Sequence, residues 1–265
     1  MDRIEKAMEK VNPTITKKGF THNRNKPLDH GEIQYTQTQT QELDQEGLIQ
    51  RRIVAQQKYS PEASVFKMLR TKVLKQLRDN HWNSFGVTAA TQGAGKSMVS
   101  TNLAIAIAME VNQTVLLVDM DLKYPKVAEY LGIDVKKGLR DYLESDIPLS
   151  EILINPGIER LVVLPGRGEA VGSSEMISGP KMLEMVKEIR NRYKSRIIIF
   201  DLPPVLSADD VLASTSYYDA VLVIVEEGGN SPDEVKKAIQ MLSGVNLLGT
   251  VLNKSMNPPD HQTYY

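Results

Sequence analysis

Two hydrophobic periods alternate along the chain from Ser60 onward. Val65, Met68, Leu69, Val73 and Leu77 recur at helical spacing behind a Ser60 cap and Pro61, and predict a helix over Pro61–Asp79. Ser84–Ala89, Thr114–Asp119, Leu161–Pro165, Arg196–Asp201, Ala220–Val225 and Leu247–Asn253 read as strands. They are continuous apolar runs that do not alternate with polar residues, as expected of strands buried on both faces. Between them, Ser97–Met109, Gly138–Glu144, Lys181–Tyr193, Ala208–Thr215 and Pro232–Ser243 predict helices. The order predicts an α/β, doubly wound fold, a mostly parallel sheet with helices on both faces. Such folds bind ligands beyond the carboxyl ends of their strands, so the residues to read for chemistry are those at these ends.

Residues 1–55 follow a different pattern. Ile4, Met8 and Val11 predict a short helix over Asp2–Val11, stopped by Pro13. The stretch Lys17–Glu46 is rich in Thr, Gln, Asn and charge, with too few apolar residues to offset the entropy of ordering. The expected organisation is therefore a mobile polar arm over 1–55, a folded domain over 56–255 and a flexible tail over 256–265 that carries Tyr264 and Tyr265.

Composition narrows the function classes. A net charge of -1 argues against bulk electrostatic binding to nucleic acid or an anionic membrane. The absence of cysteine removes disulfides, thiolate metal sites and cysteine nucleophiles. The charged N-terminus lacks the apolar core of a signal peptide, and runs such as Val115–Val118 are too short to cross a bilayer. The expectation is a cytoplasmic chain with no membrane span of its own, brought to the inner face of the membrane by a partner.

Four strand ends carry candidate chemistry. Phe85–Ala89 runs into Ala90-Thr91-Gln92-Gly93-Ala94-Gly95-Lys96-Ser97 and then an apolar helix, a phosphate-loop pattern with Ala90 in place of the first glycine. Gly93 and Gly95 let the backbone curl so that successive N–H groups face one phosphate. The helix start adds its positive end, Lys96 reaches the outer phosphates and Ser97 holds Mg2+. This predicts ATP and magnesium binding, against the plainer reading of a glycine-rich turn. Asp119 and Asp121 end the second strand two residues apart, on one side by alternation. Asp201 ends another apolar strand in a Walker-B arrangement that supports the magnesium shell. Asn253 ends the last strand, where its amide suits the adenine edge or simply begins a loop. Asp209-Asp210 reads as a solvated helix start, and Trp82, Met176, Met182 and Met185 as packing residues.

Together these blocks resemble the bacterial tyrosine kinases of capsule and exopolysaccharide synthesis, in the MinD/ParA-like P-loop superfamily. The resemblance rests on Ala90–Ser97, on Val118-Asp119-Met120-Asp121-Leu122-Lys123-Tyr124-Pro125 and on Phe200-Asp201-Leu202-Pro203-Pro204. Gly138–Leu143, Pro156–Gly166 and Leu248–Ser255 fit as well, so that it covers about 60–255, and it points to the soluble, exosortase-associated branch. It implies transfer of the γ-phosphoryl group of ATP to tyrosine, usually on the protein's own C-terminal tail. By position it makes Lys96, Asp119 and Asp121 catalytic, with Asp119 the nearer candidate to take the tyrosine proton. It places Gly93, Ala94, Gly95, Lys96, Ser97, Met98 and Asn253 at the nucleotide, Ser97, Asp121 and Asp201 at the metal, and Tyr264 and Tyr265 as acceptors. It implies a homo-oligomer and a membrane-bound polysaccharide co-polymerase or chain-length regulator as partner.

Three departures mark this chain. Lys123 stands where the family usually has arginine. The ring-forming Glu-x-x-Arg-x-x-Arg helix motif reads Ser64-x-x-Lys67-x-x-Arg70. The tyrosine cluster is reduced to two, which leaves Tyr35, Tyr217 and Tyr218 as other acceptors. Two alternatives compete. One is a MinD/ParA-like ATPase switch, which would carry lysine where Thr91 stands. The other is an ATP-binding pseudo-kinase that acts as a co-regulator.

Overall fold

The computed structural model describes residues 39–110, 113–191, 196–207 and 209–256. The helix expected over Asp2–Val11 and the tyrosines at 35, 264 and 265 lie outside the described residues.

The chain enters as β1 (Gln39–Thr40), α1 (Gln45–Gln50) and α2 (Pro61–Asp79). It continues through β2 (Ser84–Ala89), α3 (Lys96–Ala108), β3 (Thr114–Asp119), α4 (Val127–Leu131) and α5 (Leu139–Glu144). Then come β4 (Ile154–Asn155), β5 (Leu161–Leu164), α6 (Ser173–Ser178), α7 (Pro180–Asn191) and β6 (Arg196–Asp201). The last elements are α8 (Asp210–Ala213), β7 (Ala220–Glu226), α9 (Pro232–Met241) and β8 (Asn246–Asn253). The strands form one eight-stranded sheet in the order β1-β4-β5-β3-β6-β2-β7-β8, parallel except where β4 meets β5.

The strand residues sort by parity onto two cores. Val115 and Leu117, Ile197 and Ile199, and Phe85 and Val87 face a core closed by α1 to α4. Leu116 and Val118, Ile198 and Phe200, and Val221 and Val223 face a second core closed by α5, α7, α8 and α9. Burial on both faces is why the inner strands read as unbroken apolar runs, whereas β8, at the edge of the sheet, is exposed or half-buried along its length, contrary to the expectation. Gly86 is required by packing: a Cβ there would sit 2.5 Å from Leu202 Cδ1 and 3.3 Å from Tyr218 Cζ. In α2, the Ser60 hydroxyl accepts the Ala63 N–H and Pro61 begins the helix, so the expected bounds hold. Among the described residues no helix is long and apolar enough to cross a membrane.

Residues 39–55 correct the expectation of a mobile arm. β1 pairs in parallel with β4, and Leu48, Ile53 and Ala55 are buried in the first core. Amide side chains hold this segment down. Gln41 pairs through both its amide oxygen and nitrogen with the Asp134 backbone (2.9 and 2.8 Å). Asn102 of α3 accepts from the N–H groups of Val54 (2.8 Å) and Ala55 (3.1 Å) and donates to Arg52 O (2.9 Å). Polar contacts of this kind leave no hydrophobic period, so the segment reads as an arm.

Candidate active site

Sheet register decides which side chains can meet. β3 and β6 are neighbours with Asp119 opposite Asp201, so their carboxylates end adjacent strands. Both residues share the parity of the core beneath α3 and are fully buried. α3 starts immediately after the phosphate loop with Gly95 at its N-cap in the left-handed region (φ 91°) and no side-chain cap. The first-turn N–H groups of such a helix have no partner within it and are available to an anion. Gly93 (φ 89°) has open space where a Cβ would project, whereas at Gly95 a Cβ would meet Asn253 Nδ2 at 2.2 Å. Gly93 thus supplies backbone conformation, and Gly95 supplies both conformation and room.

The Lys96 ammonium lies 2.7 Å from Asp121 Oδ2, 3.2 Å from Ser97 Oγ and 3.9 Å from Asp201 Oδ2. It therefore sits among the three oxygens that the sequence assigns to magnesium. Burial pulls the Lys96 pKa down, but the charges of Asp201 and Asp121 outweigh it and hold the amine above its ordinary value. Burial, with Asp201's charge beside it, pushes the Asp119 carboxyl well above the ordinary range. Burial also raises Asp201, against the pull of the Lys96 charge.

Each acid is oriented by the chain. Asp119 accepts from the N–H groups of Val127 (3.0 Å) and Asp121 (3.3 Å). Asp121 accepts from the Tyr124 N–H (3.0 Å). Asp201 Oδ1 accepts from the Ser100 hydroxyl (3.1 Å), and its buried Oδ2 has no hydrogen-bond donor. An orphaned buried carboxylate oxygen beside a hydroxyl and a second carboxylate is a hard-oxygen donor set, and it fits Mg2+. Among the described residues no group of three or more His, Asp or Glu is disposed to hold a metal on its own.

The remaining assigned residues fall around this centre. Met98 lies against the loop, with its Cε 3.8 Å from a Cβ position at Gly95. Asn253 donates its amide to Ala94 O (2.7 Å), so it braces the loop rather than offering that hydrogen to a base. Tyr217 and Tyr218 are excluded as ready acceptors. Both are buried, with hydroxyls donated to Ile177 O (2.6 Å) and Val211 O (3.3 Å), and burial pushes the Tyr218 phenol up to about 12.

Three further features were not read from the sequence. Asp210 is buried, not solvated, and Ser173 Oγ approaches both its carboxylate oxygens (3.0 and 2.8 Å). Its partner lies 37 positions away, which no local pattern shows. Gly166 closes over the site, since a Cβ there would lie 2.5 Å from Pro125 Cβ and 3.3 Å from Asp119 Cγ. Arg70, the last residue of the altered ring motif, bonds within its own chain to Glu110 (3.0 Å) and to Ala106 O (3.3 Å).

Known proteins are similar to this chain over most of its length. The family described as an AAA domain matches residues 86–256, and the chain belongs to it. EpsB of Ralstonia nicotianae is 29% identical over 212 residues, a match that covers 77% of this chain but 27% of EpsB. The chain thus spans about a quarter of the length of that relative. The Bacillus subtilis tyrosine-protein kinase YwqD is 26% identical over 221 residues, covering 82% of this chain and 92% of YwqD. Among solved structures, the kinase domain of the Escherichia coli tyrosine kinase ETK superposes with a TM-score of 0.71 at 25% identity. That match covers 80% of this chain and 83% of the ETK domain.

Proposed function

We propose that this member of the AAA-domain family is an ATP- and magnesium-dependent protein-tyrosine kinase serving exopolysaccharide or capsule synthesis. One observation carries the reading: a phosphate-loop lysine held by strand-end acids, with Asp121 at 2.7 Å and Asp201 at 3.9 Å. Phosphoryl transfer needs positioning and charge neutralisation rather than a covalent nucleophile, and this site supplies both. The similarity to YwqD and to the ETK kinase domain supports tyrosine as the acceptor.

The chain's residues divide the work. The N–H groups at the start of α3 receive the β- and γ-phosphates. Lys96 exchanges its contact with Asp121 for the phosphate oxygens and neutralises charge as it builds. Ser97, Asp121 and Asp201 are the residues that would hold Mg2+, and the ion would supply charge neutralisation at the phosphates. Asp119, whose carboxyl burial raises well above the ordinary range, takes the proton of the attacking tyrosine hydroxyl. Gly166 lies against Asp119, which is fully buried. Tyr264 and Tyr265 are the proposed acceptors on a neighbouring copy. The partner of this reading is a membrane-bound chain-length regulator, which brings the chain to the membrane.

Incubation of the full chain with Mg-ATP, followed by phosphosite mass spectrometry, tests the proposal. Phosphotyrosine at 264 and 265, lost when both are changed to Phe, is the expected result. ADP release with no phosphotyrosine would select an ATPase switch instead. ATP binding with neither product would select a pseudo-kinase.

A further inference from the structure

The phosphate loop leaves the sheet at Ala90 and enters α3 at Gly95. Ala90 is buried, and its carbonyl accepts the Leu206 N–H (3.2 Å). The tip is open: Gln92 and Gly93 are exposed, and nothing lies within 4 Å of a Cβ position at Gly93. A loop with two glycines in the left-handed region has many alternative shapes, and a phosphate selects only one of them. Two amide side chains from the adjoining edge of the sheet grip the flanks of this tip. Asn253 takes Ala94 O, as described. On the other flank, Asn230 Nδ2 lies 2.7 Å from Thr91 Oγ1.

We propose that Asn230, in the turn between β7 and α9, is a positioning residue for nucleotide binding: through Thr91 it holds the phosphate loop in its phosphate-receiving shape. The inference rests on the nucleotide-binding reading above. Asn230 is itself fixed from both sides. Its Oδ1 accepts the Glu226 N–H (2.9 Å), and its own N–H donates to Glu226 O (3.1 Å). The Glu226 side chain is tied in turn to Lys254 (2.8 Å), one residue beyond Asn253. Because Oδ1 faces a backbone donor, the NH2 end of the amide must face Thr91. Thr91 is therefore the acceptor in this bond, and its hydroxyl proton remains free to donate. The partner chemistry that suits an O–H on the wall of an anion cradle is a phosphate oxygen. Thr91 occupies the position where the switch-type ATPases considered above would carry lysine. Here that position is engaged by the chain's own β7–α9 turn.

Loss of one such hydrogen bond is worth about 0.5–1.5 kcal/mol, or roughly two- to tenfold in affinity. The test is calorimetric titration of full-length Asn230→Ala, Thr91→Val, Thr91→Ser and the Asn230→Ala/Thr91→Val double variant with Mg-ATP, alongside their melting temperatures without nucleotide. Expected are an ATP Kd about three- to tenfold weaker in Asn230→Ala and Thr91→Val, and a double variant within about twofold of Thr91→Val. Thr91→Ser, which keeps the hydroxyl, should bind within about twofold of wild type. A purely structural role for Asn230 would lower the melting temperature and leave ATP affinity alone. That result, or additive losses in the double variant, overturns the proposal. If Asn230→Ala fails to fold, Thr91→Val removes the same bond with the β7–α9 turn intact, and normal ATP affinity in that variant overturns it equally. Wild-type protein that binds no ATP would sink the kinase reading and this proposal together. Wild-type binding with unaffected variants would sink this proposal alone.

Discussion

Two sets of aspartates stand at opposite ends of the same sheet, and they are built on opposite principles. At the amino end, Asp219 precedes β7 and serves β2. It accepts from the N–H groups of Asn83 and Ser84 (3.0 Å each) and the Ser84 hydroxyl (2.7 Å), and it pairs with Arg190 (2.6 Å). Burial works against its charge, but these partners prevail and hold its pKa below the ordinary value. At the carboxyl end, Asp119 and Asp201 are fully buried side by side, with Lys96 as the nearest cation and one oxygen of Asp201 lacking a donor. Their pKa values are driven up. The first arrangement is what folding selects, since buried charge is tolerated when paired and hydrogen-bonded. The second stores unfavourable charge, and such crowding is a mark of a functional site.

The contrast breaks most sharply at Lys96. If the carboxyl end is a phosphoryl-transfer site, Lys96→Ala should reduce ATP turnover by roughly a thousandfold, the scale of losing a preorganised charge at the reacting group. A steady-state assay with Mg-ATP checks it, and unchanged turnover would end the assignment.

Asp119→Asn comes next, and its sign in stability is the informative part. Turnover should fall about a hundredfold if Asp119 takes the tyrosine proton. Yet the nucleotide- and metal-free protein should melt at a higher temperature than wild type near pH 7. The folded-state pKa is raised, so the ionised carboxylate destabilises the fold above its unfolded value, near 3.8. The gain should shrink as pH falls back towards that value and the wild-type acid takes up its proton. Melting curves across pH in the presence of a chelator give the answer, and a lower melting temperature at pH 7 would mean that Asp119 is a structural acid after all.

Much of this contrast was legible in the sequence at one end only. Asp119, Asp121 and Asp201 each close an apolar run, and Lys96 sits in a short motif, so their local context announces them. The inner strands were legible because burial on two faces leaves unbroken apolar runs, and α2 because a Ser cap and Pro61 precede an apolar stripe at helical spacing. Asp219 carries no such signal. Its partners Asn83 and Arg190 lie far along the chain and are brought to it by strand order. Residues 39–55 were misread because Gln41 and Asn102 bind backbone groups and follow no period. Asp210 was misread as a solvated acid because its partner Ser173 belongs to a helix that apolar spacing did not mark. Local chemistry writes itself into sequence, whereas chemistry assembled by topology does not.

The smallest effect falls at the amino end. Asp219→Asn keeps the size of the side chain but loses the charge that Arg190 faces and one of the acceptor oxygens shared by Asn83, Ser84 and Arg190. The loss should be about 1–3 kcal/mol of stability near pH 7, the scale of a charged hydrogen-bonded group left incomplete, with ATP turnover essentially unchanged because the site lies at the other end of the strands. The pH dependence follows from the sign of the shift. A carboxyl whose folded pKa is depressed stabilises the fold above its unfolded pKa, near 3.8, and that contribution fades as pH falls through the lower folded value. Denaturant titrations of wild type and Asp219→Asn should therefore differ fully at pH 7, still differ at pH 5, and converge as the pH falls through the depressed folded value. Asp119→Asn and Asp219→Asn would then move stability in opposite directions at neutral pH, though each replaces one aspartate by its isostere in the same sheet. Two destabilised variants would mean that the carboxyl-end acids are as well satisfied as Asp219, and the electrostatic distinction between the two ends would be lost.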